Sequence, residues 1–135
     1  MTGEKQTFSK GERLCSIKLI SEIFESGNVF YSRNFKVVWI QIPIQLPYPG
    51  QVAFSVPKKI FRLAVTRNLI KRRFREAYRR NKHVLYEYLR SEGTGLAFIV
   101  IYRQNSVPTY QIMEKSVDEL IEVLCADFKE KNKKC

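Results

Sequence analysis

Residues 66–80 read TRNLIKRRFREAYRR, and two patterns in this stretch decide the fold of the chain around it. Apolar side chains recur at Ile70, Phe74 and Tyr78, which is the spacing of one buried helix face. Seven Lys or Arg residues fill most of the other positions, against one acid, Glu76. The stretch therefore predicts a helix that packs with one side and presents cations with another.

The positive charge of the whole chain is concentrated around this stretch. Of the net charge of +11, the 25 residues from Lys58 to Lys82 supply +10, from eleven basic residues and one acid. The other 110 residues hold 13 basic and 12 acidic groups, a net charge of +1. Because like charges four residues apart destabilise a free helix, this density indicates a polyanionic partner. A localised basic field is typical of proteins that bind nucleic acid or an anionic membrane.

Two other interpretations of the basic helix are weaker. A solvated helix face usually mixes both signs of charge at i,i+4, and this one does not. A helix lying on a membrane would need the apolar stripe that the core of this chain uses. Arginine is frequent here, and its planar guanidinium suits two-pronged phosphate contacts. The predicted partner is therefore nucleic acid, and no membrane partner is predicted.

Composition limits the remaining possibilities. A length of 135 residues with 44% hydrophobic residues predicts one folded domain over residues 1–135. No apolar run reaches the ~18 residues of a membrane span, and the N-terminus lacks an apolar signal core, so a cytoplasmic protein is expected. Three cysteines without CxxC spacing and a single histidine predict neither a zinc site nor a Cys–His pair. The acids do not form the cluster that a metal-dependent nuclease needs, so we predict no catalytic and no metal-binding residue.

Hydrophobic periodicity outward from the basic helix predicts the order α-β-β-α-β-α, packed as a two-layer α+β sandwich. We expect a first helix from Ser16 that stops at Gly27, then helices over 64–90 and 110–129, and strands over 35–42, 51–57 and 96–102. The strand over 96–102 is apolar on both faces, so it should be central and covered on both sides.

The connections and ends complete this prediction. The strands over 35–42 and 51–57 should pair as an antiparallel hairpin, whose elaborated turn is the proline-rich loop over 43–50. Residues 1–15 show little periodicity and are expected to form a loose arm. Residues 129–135 are expected to form a frayed basic tail.

The stretch PKKIFRLAVTRNLIKRRFREAYR, residues 57–79, resembles the protein component of bacterial ribonuclease P. The family motifs are a KK pair, then AV-x-RN, then IKR-x-x-RE-A, and they fall at residues 58–59, 64–68 and 70–77. The family usually has a further Arg where this chain has Leu69. The resemblance covers most of the chain, because the RL pair at 13–14, the F-x-x-G at 24–27 and the R-x-F at 33–35 also fit.

This resemblance implies the fold and the activity. It implies an α/β sandwich with a left-handed β-α-β crossover into the basic helix, a handedness opposite to the general rule. It also implies a single RNA-binding domain that assists an RNA subunit, which uses Mg²⁺ to remove the 5′ leader from precursor tRNA. The implied partners are ribonuclease P RNA and precursor tRNA, with no obligate protein partner, and Mg²⁺ is bound mainly by the RNA.

The resemblance also implies two sets of binding residues. The first contacts RNA: Lys58, Lys59, Arg67, Asn68, Lys71, Arg72, Arg73, Arg75 and Arg79. The second forms a cleft for the single-stranded leader between the first helix and the sheet: Ile20, Phe24, Lys36 and Val38. The family often has aromatic residues where this chain has Ile20 and Val38. Phe24 is therefore interpreted as the stacking platform, with core packing as its alternative role, and Lys36 as a phosphate contact.

Two functional alternatives stay open from the residues alone. A structural RNA-binding protein of ribosomal type has a similar charge distribution, and it would bind its own RNA without affecting cleavage of precursor tRNA. A nuclease that acts without an RNA subunit would depend on a few acids for the cut.

Overall fold

The computed structural model describes Phe8 and residues 10–133. Within these residues the chain forms three α-helices and four β-strands after a short 3-10 helix over Lys10–Glu12. In chain order they are α1 (Ile17–Ser26), β1 (Asn28–Ser32), β2 (Phe35–Ile42), β3 (Gly50–Ser55), α2 (Ala64–Glu92), β4 (Gly95–Tyr102) and α3 (Tyr110–Lys133). The predicted α+β class is confirmed, and every predicted helix and strand is present.

The four strands form one sheet in the order β1-β2-β4-β3. Strand β2 pairs antiparallel with β1 on one side and with β4 on the other, while β3 pairs parallel with β4. The predicted central position of β4 is therefore confirmed. The prediction of a hairpin between residues 35–42 and 51–57 is wrong, because β4 lies between these two strands.

Strand β1 was missed by the sequence analysis. It pairs with β2 through a two-residue turn at Arg33 and Asn34, so the hairpin of this sheet is β1–β2. The run Val29-Phe30-Tyr31 is rich in β-favouring residues and was the available signal. The proline-rich loop after β2 crosses the place where β4 lies in the sheet. Strand β4 takes this central place because both of its faces are apolar.

Helices α2 and α3 cover one face of the sheet and form the larger core with it. The ring of Phe74 on α2 stacks on Phe54 of β3, with centroids 4.1 Å apart and planes 3° from parallel. On α3, Asp127 accepts a 2.8 Å hydrogen bond from the indole N–H of Trp39. Helix α1 packs on the opposite face of the sheet. It adds a smaller third layer to the two layers that were predicted.

The ends of α1 and α2 follow local rules. The hydroxyl of Ser16 caps α1 by accepting the amide N–H of Leu19 at 3.2 Å. At the other end of α1, a Cβ on Gly27 would lie 2.6 Å from Cγ1 of Val38, so only glycine lets the helix approach the sheet this closely. Helix α2 ends at Gly93, whose φ of 67° is left-handed.

Residues 10–14 are packed on the fold, in contrast to the loose arm predicted for residues 1–15. The carboxylate of Glu12 is fully buried and accepts hydrogen bonds of 2.6 Å from both Lys82 Nζ and the Tyr86 hydroxyl. Arg13 forms a parallel bridge with Val52, and Leu14 N–H donates to the Val52 carbonyl at 3.0 Å. Residues 1–7 and 9 lie outside the described residues.

Burial raises the pKa of Tyr86, and the neighbouring Tyr78 and the hydrogen bond to Glu12 act in the same direction. Its hydroxyl is therefore a hydrogen-bond donor to Glu12 at neutral pH. Helix α3 continues to Lys133, beyond the residue at which the sequence predicted its end. Residues 134–135 of the predicted tail lie outside the described residues, and the left hand of the β3-α2-β4 crossover stays a prediction.

Replacing Lys82 with Met should lower the free energy of unfolding by ~3–5 kcal/mol, because Glu12 would keep a buried charge without this cation. Urea unfolding followed by circular dichroism measures the change. The exposed Lys131, replaced with Met in the same way, is the control. The Glu12→Gln, Lys82→Met double variant should lose less than the sum of the two single losses. A Lys82→Met protein as stable as the control would contradict this account.

Candidate nucleic-acid interface

Six of the residues predicted to contact RNA have polar or cationic side chains that reach solvent. Lys58 and Lys59 lie in the turn before α2 and are exposed, as are Arg72 and Arg75 on its first half. Within residues 10–133, no carboxylate oxygen comes within 4.0 Å of these cations or of Lys71. We call this set the basic surface: Lys58, Lys59, Asn68, Lys71, Arg72 and Arg75.

The other three predicted RNA contacts are engaged inside the protein. The guanidinium of Arg67 donates to the carbonyls of Phe61 at 2.8 Å and Arg62 at 3.0 Å, which fixes the loop entering α2. Arg73 donates to the carbonyl of Pro108 and so ties α2 to the segment before α3. These contacts use part of the five donors of each guanidinium, so a role in RNA binding stays a prediction for both.

Arg79 is paired with the only acid of the basic stretch. Its guanidinium donates to both carboxylate oxygens of Glu76, at 3.2 and 2.6 Å, and Arg80 lies 3.5 Å from the same carboxylate. The hydrogen bond from Arg79 lowers the pKa of the Glu76 carboxyl, and the charges of Arg79 and Arg80 add to it. Glu76 is therefore ionised at neutral pH and offsets the positive charge at this end of the surface.

Lys82 does not belong to the basic surface, although helical spacing places it on the same arc as Arg67 and Lys71. It is 2% exposed and paired with Glu12. The sequence could not reveal this, because it depends on the N-terminal segment crossing α2 at that point.

A groove of about 450 Å³ runs along the edge of the sheet between the N-terminal segment, β3 and α2. Its cations are Arg13, Lys71 and Arg75, and its apolar lining includes Phe8 and Phe54. The groove was not predicted from the sequence, because the parallel bridge of Arg13 to β3 is a long-range contact. The groove joins the basic surface to an edge strand.

The predicted leader cleft lies on the other face of the sheet, beside α1. Val38 is 5% exposed and packs with Ile23 beneath the helix, so it forms the floor rather than a wall. Ile20 is half-buried against the same cluster, and Lys36 is half-buried further along β2. Phe24 is 62% exposed, which excludes the alternative that it packs in the core.

One exposed aromatic residue on this face was missed together with β1. Tyr31 is 58% exposed and lies directly opposite Lys36 in the β1–β2 register. The guanidinium carbon of Arg103, which follows β4, lies 4.7 Å from the centroid of the Tyr31 ring. This face therefore combines aromatic rings with cations.

Within Phe8 and residues 10–133, no three His, Cys, Asp or Glu residues lie close enough together to hold a metal ion. Burial raises the pKa of the Cys125 thiol to about 11, so it is protonated at neutral pH. Among the helices of this part of the chain, none is both long and apolar enough to span a bilayer.

Comparison with known proteins agrees with the geometry. The family model for ribonuclease P matches residues 8–125. The chain is similar to the ribonuclease P protein component of Porphyromonas gingivalis, with 34% identity over 113 residues that cover 82% of this chain and 81% of the relative. The corresponding protein of Chlorobaculum tepidum is 30% identical, with 94% of this chain and 90% of the relative covered.

Solved structures show the same fold. The RNase P protein of Staphylococcus aureus superposes with a TM-score of 0.63 at 24% identity, covering 85% of this chain and 96% of that structure. The RNase P protein of Thermotoga maritima gives a TM-score of 0.63 at 23% identity, covering 82% and 96%. The matched residues 8–125 contain α1, the four described strands, α2 and most of α3. The chain therefore belongs to the ribonuclease P protein family: it is the protein subunit of an enzyme whose RNA subunit carries the catalysis in tRNA 5′ maturation.

Proposed function

We propose that the protein binds the catalytic RNA through the basic surface and holds the single-stranded leader of precursor tRNA in the cleft beside α1. The observation that carries this proposal is the separation of the two surfaces. The cations of α2 belong to the layer on one side of the sheet, and the exposed Phe24 belongs to the layer on the other. Two RNA segments can therefore be bound at once without competing.

Electrostatics supports the first contact. A folded RNA brings many phosphates close together, and Lys or Arg side chains lower their repulsion while releasing condensed counterions. The basic surface is suited to this, since its cations lack nearby carboxylates among residues 10–133. Arg72 and Arg75 also carry planar guanidinium groups that match two phosphate oxygens.

The cleft supports preference for the precursor over the product. A leader held along the sheet adds contacts that mature tRNA does not have, so the precursor binds more tightly and the product leaves. Phe24 offers an exposed ring for base stacking, and Lys36 offers an ammonium for a phosphate. The aliphatic Ile20 and the buried Val38 act as the floor beneath the RNA chain.

Mg²⁺ is assigned to the RNA subunit in this proposal, and the protein acts on it indirectly by favouring the compact RNA fold. The reaction belongs in the cytoplasm, where precursor tRNA is made.

Adding the purified protein to bacterial ribonuclease P RNA should increase cleavage of a precursor tRNA at the correct site when Mg²⁺ is low. Gel analysis of a 5′-labelled precursor measures the rate. The RNA alone and the protein alone are the controls. A structural RNA-binding protein of ribosomal type would leave the rate unchanged, and a protein-only nuclease would cut without the RNA.

Replacing Arg72 with Ala should weaken binding to the RNA subunit by ~1–3 kcal/mol and flatten the dependence of affinity on salt, because one phosphate contact is lost. Filter binding over a range of KCl concentrations measures both quantities. Lys131→Ala removes an exposed cation of the same sign from α3 and should change neither. Equal slopes for wild type and Arg72→Ala would mean that Arg72 faces solvent in the complex.

Arg67→Ala should weaken RNA binding by a similar ~1–3 kcal/mol. In contrast to Arg72→Ala, it should also lower the melting temperature, since the carbonyls of Phe61 and Arg62 lose a donor. Thermal unfolding separates the two variants. An unchanged melting temperature would show that the loop before α2 does not depend on Arg67.

Phe24→Ala should reduce the preference of the holoenzyme for precursor over mature tRNA by ~1–3 kcal/mol, with little effect on binding of the RNA subunit. Competition binding of the two tRNAs measures the preference. Ile112→Ala, an exposed apolar residue of α3, is the control. Equal losses of both activities in Phe24→Ala would indicate damaged folding rather than a lost leader contact.

A further inference from the structure

We propose that Tyr31 and Arg103 together form a stacking site for one unpaired base of the leader, with Lys36 as the contact for a neighbouring phosphate. This inference rests on the proposed function of the cleft beside α1. It adds to that cleft a base site on β1, an edge strand, and on the residue that follows β4.

Strand register places Tyr31 and Lys36 on one face of the sheet. Tyr31 and Lys36 are direct partners in the antiparallel β1–β2 pairing, so both point to the same face of the sheet. Two residues along β2 from Lys36, the side chain of Val38 points the same way and packs beneath α1. The face that carries Tyr31 is therefore the face of the predicted leader cleft.

Arg103 is fixed against the Tyr31 ring from the neighbouring segment. Its backbone N–H donates to the Asn34 carbonyl at 2.9 Å, which ties the end of β4 to the β1–β2 turn. From there its guanidinium carbon reaches a point 4.7 Å from the Tyr31 ring centroid, within cation–π distance. The aromatic ring of β1 and the guanidinium that follows β4 thus form a pair.

The pair is open to a ligand. Tyr31 is 58% exposed, and with Phe24 it is one of two aromatic side chains in the described residues that are more than half exposed. Arg103 is exposed, and within residues 10–133 no carboxylate lies within 4.0 Å of its guanidinium. An exposed cation–π pair contributes little to the stability of the fold. Stability alone therefore does not explain why this face carries an exposed aromatic ring beside an arginine that has no carboxylate within 4.0 Å among residues 10–133.

The chemistry of the pair selects an unpaired nucleotide. A base offers a flat π surface that can stack on the phenol ring or on the guanidinium plane, and stacking of this kind tolerates any base. Adjacent strands lie ~4.8 Å apart, so the ammonium of Lys36 is within reach of the phosphate next to that base. Bases within a duplex are already stacked on their neighbours and do not offer this surface. The leader is the unpaired segment that the proposed cleft holds.

A scan with abasic leaders tests the site in the reconstituted holoenzyme. A set of precursor tRNAs, each with one leader base removed, is bound to holoenzymes that carry wild-type protein, Tyr31→Ala or Tyr31→Phe. With wild-type protein, removal of the base that occupies the site should weaken binding about tenfold, within the range measured for aromatic stacking. Tyr31→Phe keeps the ring and should show the same penalty at the same leader position.

With Tyr31→Ala, the intact leader should bind about tenfold more weakly than to wild type, and the penalty at that position should disappear. Arg103→Ala should reduce the affinity penalty for base removal at that position and flatten the dependence of leader affinity on salt. Arg103→Lys should restore only the salt dependence, because lysine keeps the positive charge but lacks the planar guanidinium that stacks. Ile112→Ala alters an exposed aliphatic residue of α3, on the other side of the sheet, and should leave the profile unchanged. Circular dichroism and melting temperature check that each variant is folded.

The outcomes separate this inference from the proposed function. If Phe24→Ala changes the abasic profile but Tyr31→Ala does not, the leader cleft stands and the Tyr31–Arg103 site is wrong. If no leader position is sensitive with wild-type protein, the leader cleft fails, and the base site fails with it. If Tyr31→Ala weakens binding of leaderless mature tRNA equally, the pair contacts the tRNA body and the inference is also overturned.

Discussion

The stack of Phe74 on Phe54, with centroids 4.1 Å apart, fixes how the basic helix lies on the sheet. Phe74 is 1% exposed and sits among Ile70, Tyr78 and the underside of β3 and β4. Because a helix has one orientation about its axis once this stripe is buried, the residues 100° further round are forced outward. The density of cations at those positions would destabilise an isolated helix, and the buried stripe holds them in place against their repulsion.

The second constraint is the buried pair of Glu12 and Lys82. Removing two charges from water is costly, and the hydrogen bond from Tyr86 helps to offset that cost. The contact joins residues 70 positions apart and places the N-terminal segment along the edge strand β3, where Arg13 and Leu14 pair with Val52. From there Ser16 begins α1, so the position of the proposed leader cleft depends on the buried Glu12–Lys82 pair.

The sheet separates the two proposed RNA-binding surfaces. On one side, the charges of the basic surface are suited to phosphates and would not read bases. On the other side, exposed rings beside α1 offer surfaces for unpaired bases, and the lysine and arginine nearby balance the backbone charge. Two of the predicted contacts, Arg67 and Arg73, hold segments of the protein itself, so the proposed RNA binding would share these side chains with the fold at the start of α2.

The sequence by itself determined whatever depends on local spacing. The apolar stripe of α2, the strand β2 with its β-branched and aromatic residues, and the doubly apolar β4 were all predictable, because local spacing and composition report which segments are buried. The motif around residues 57–79 likewise identified the family. Tertiary structure decided what depends on residues far apart in the chain: β4 inserts between β2 and β3, Lys82 turns inward to Glu12, and Arg103 reaches Tyr31. Helical spacing places a side chain on an arc, but only the neighbouring segments determine whether that arc meets solvent, a carboxylate or an aromatic ring.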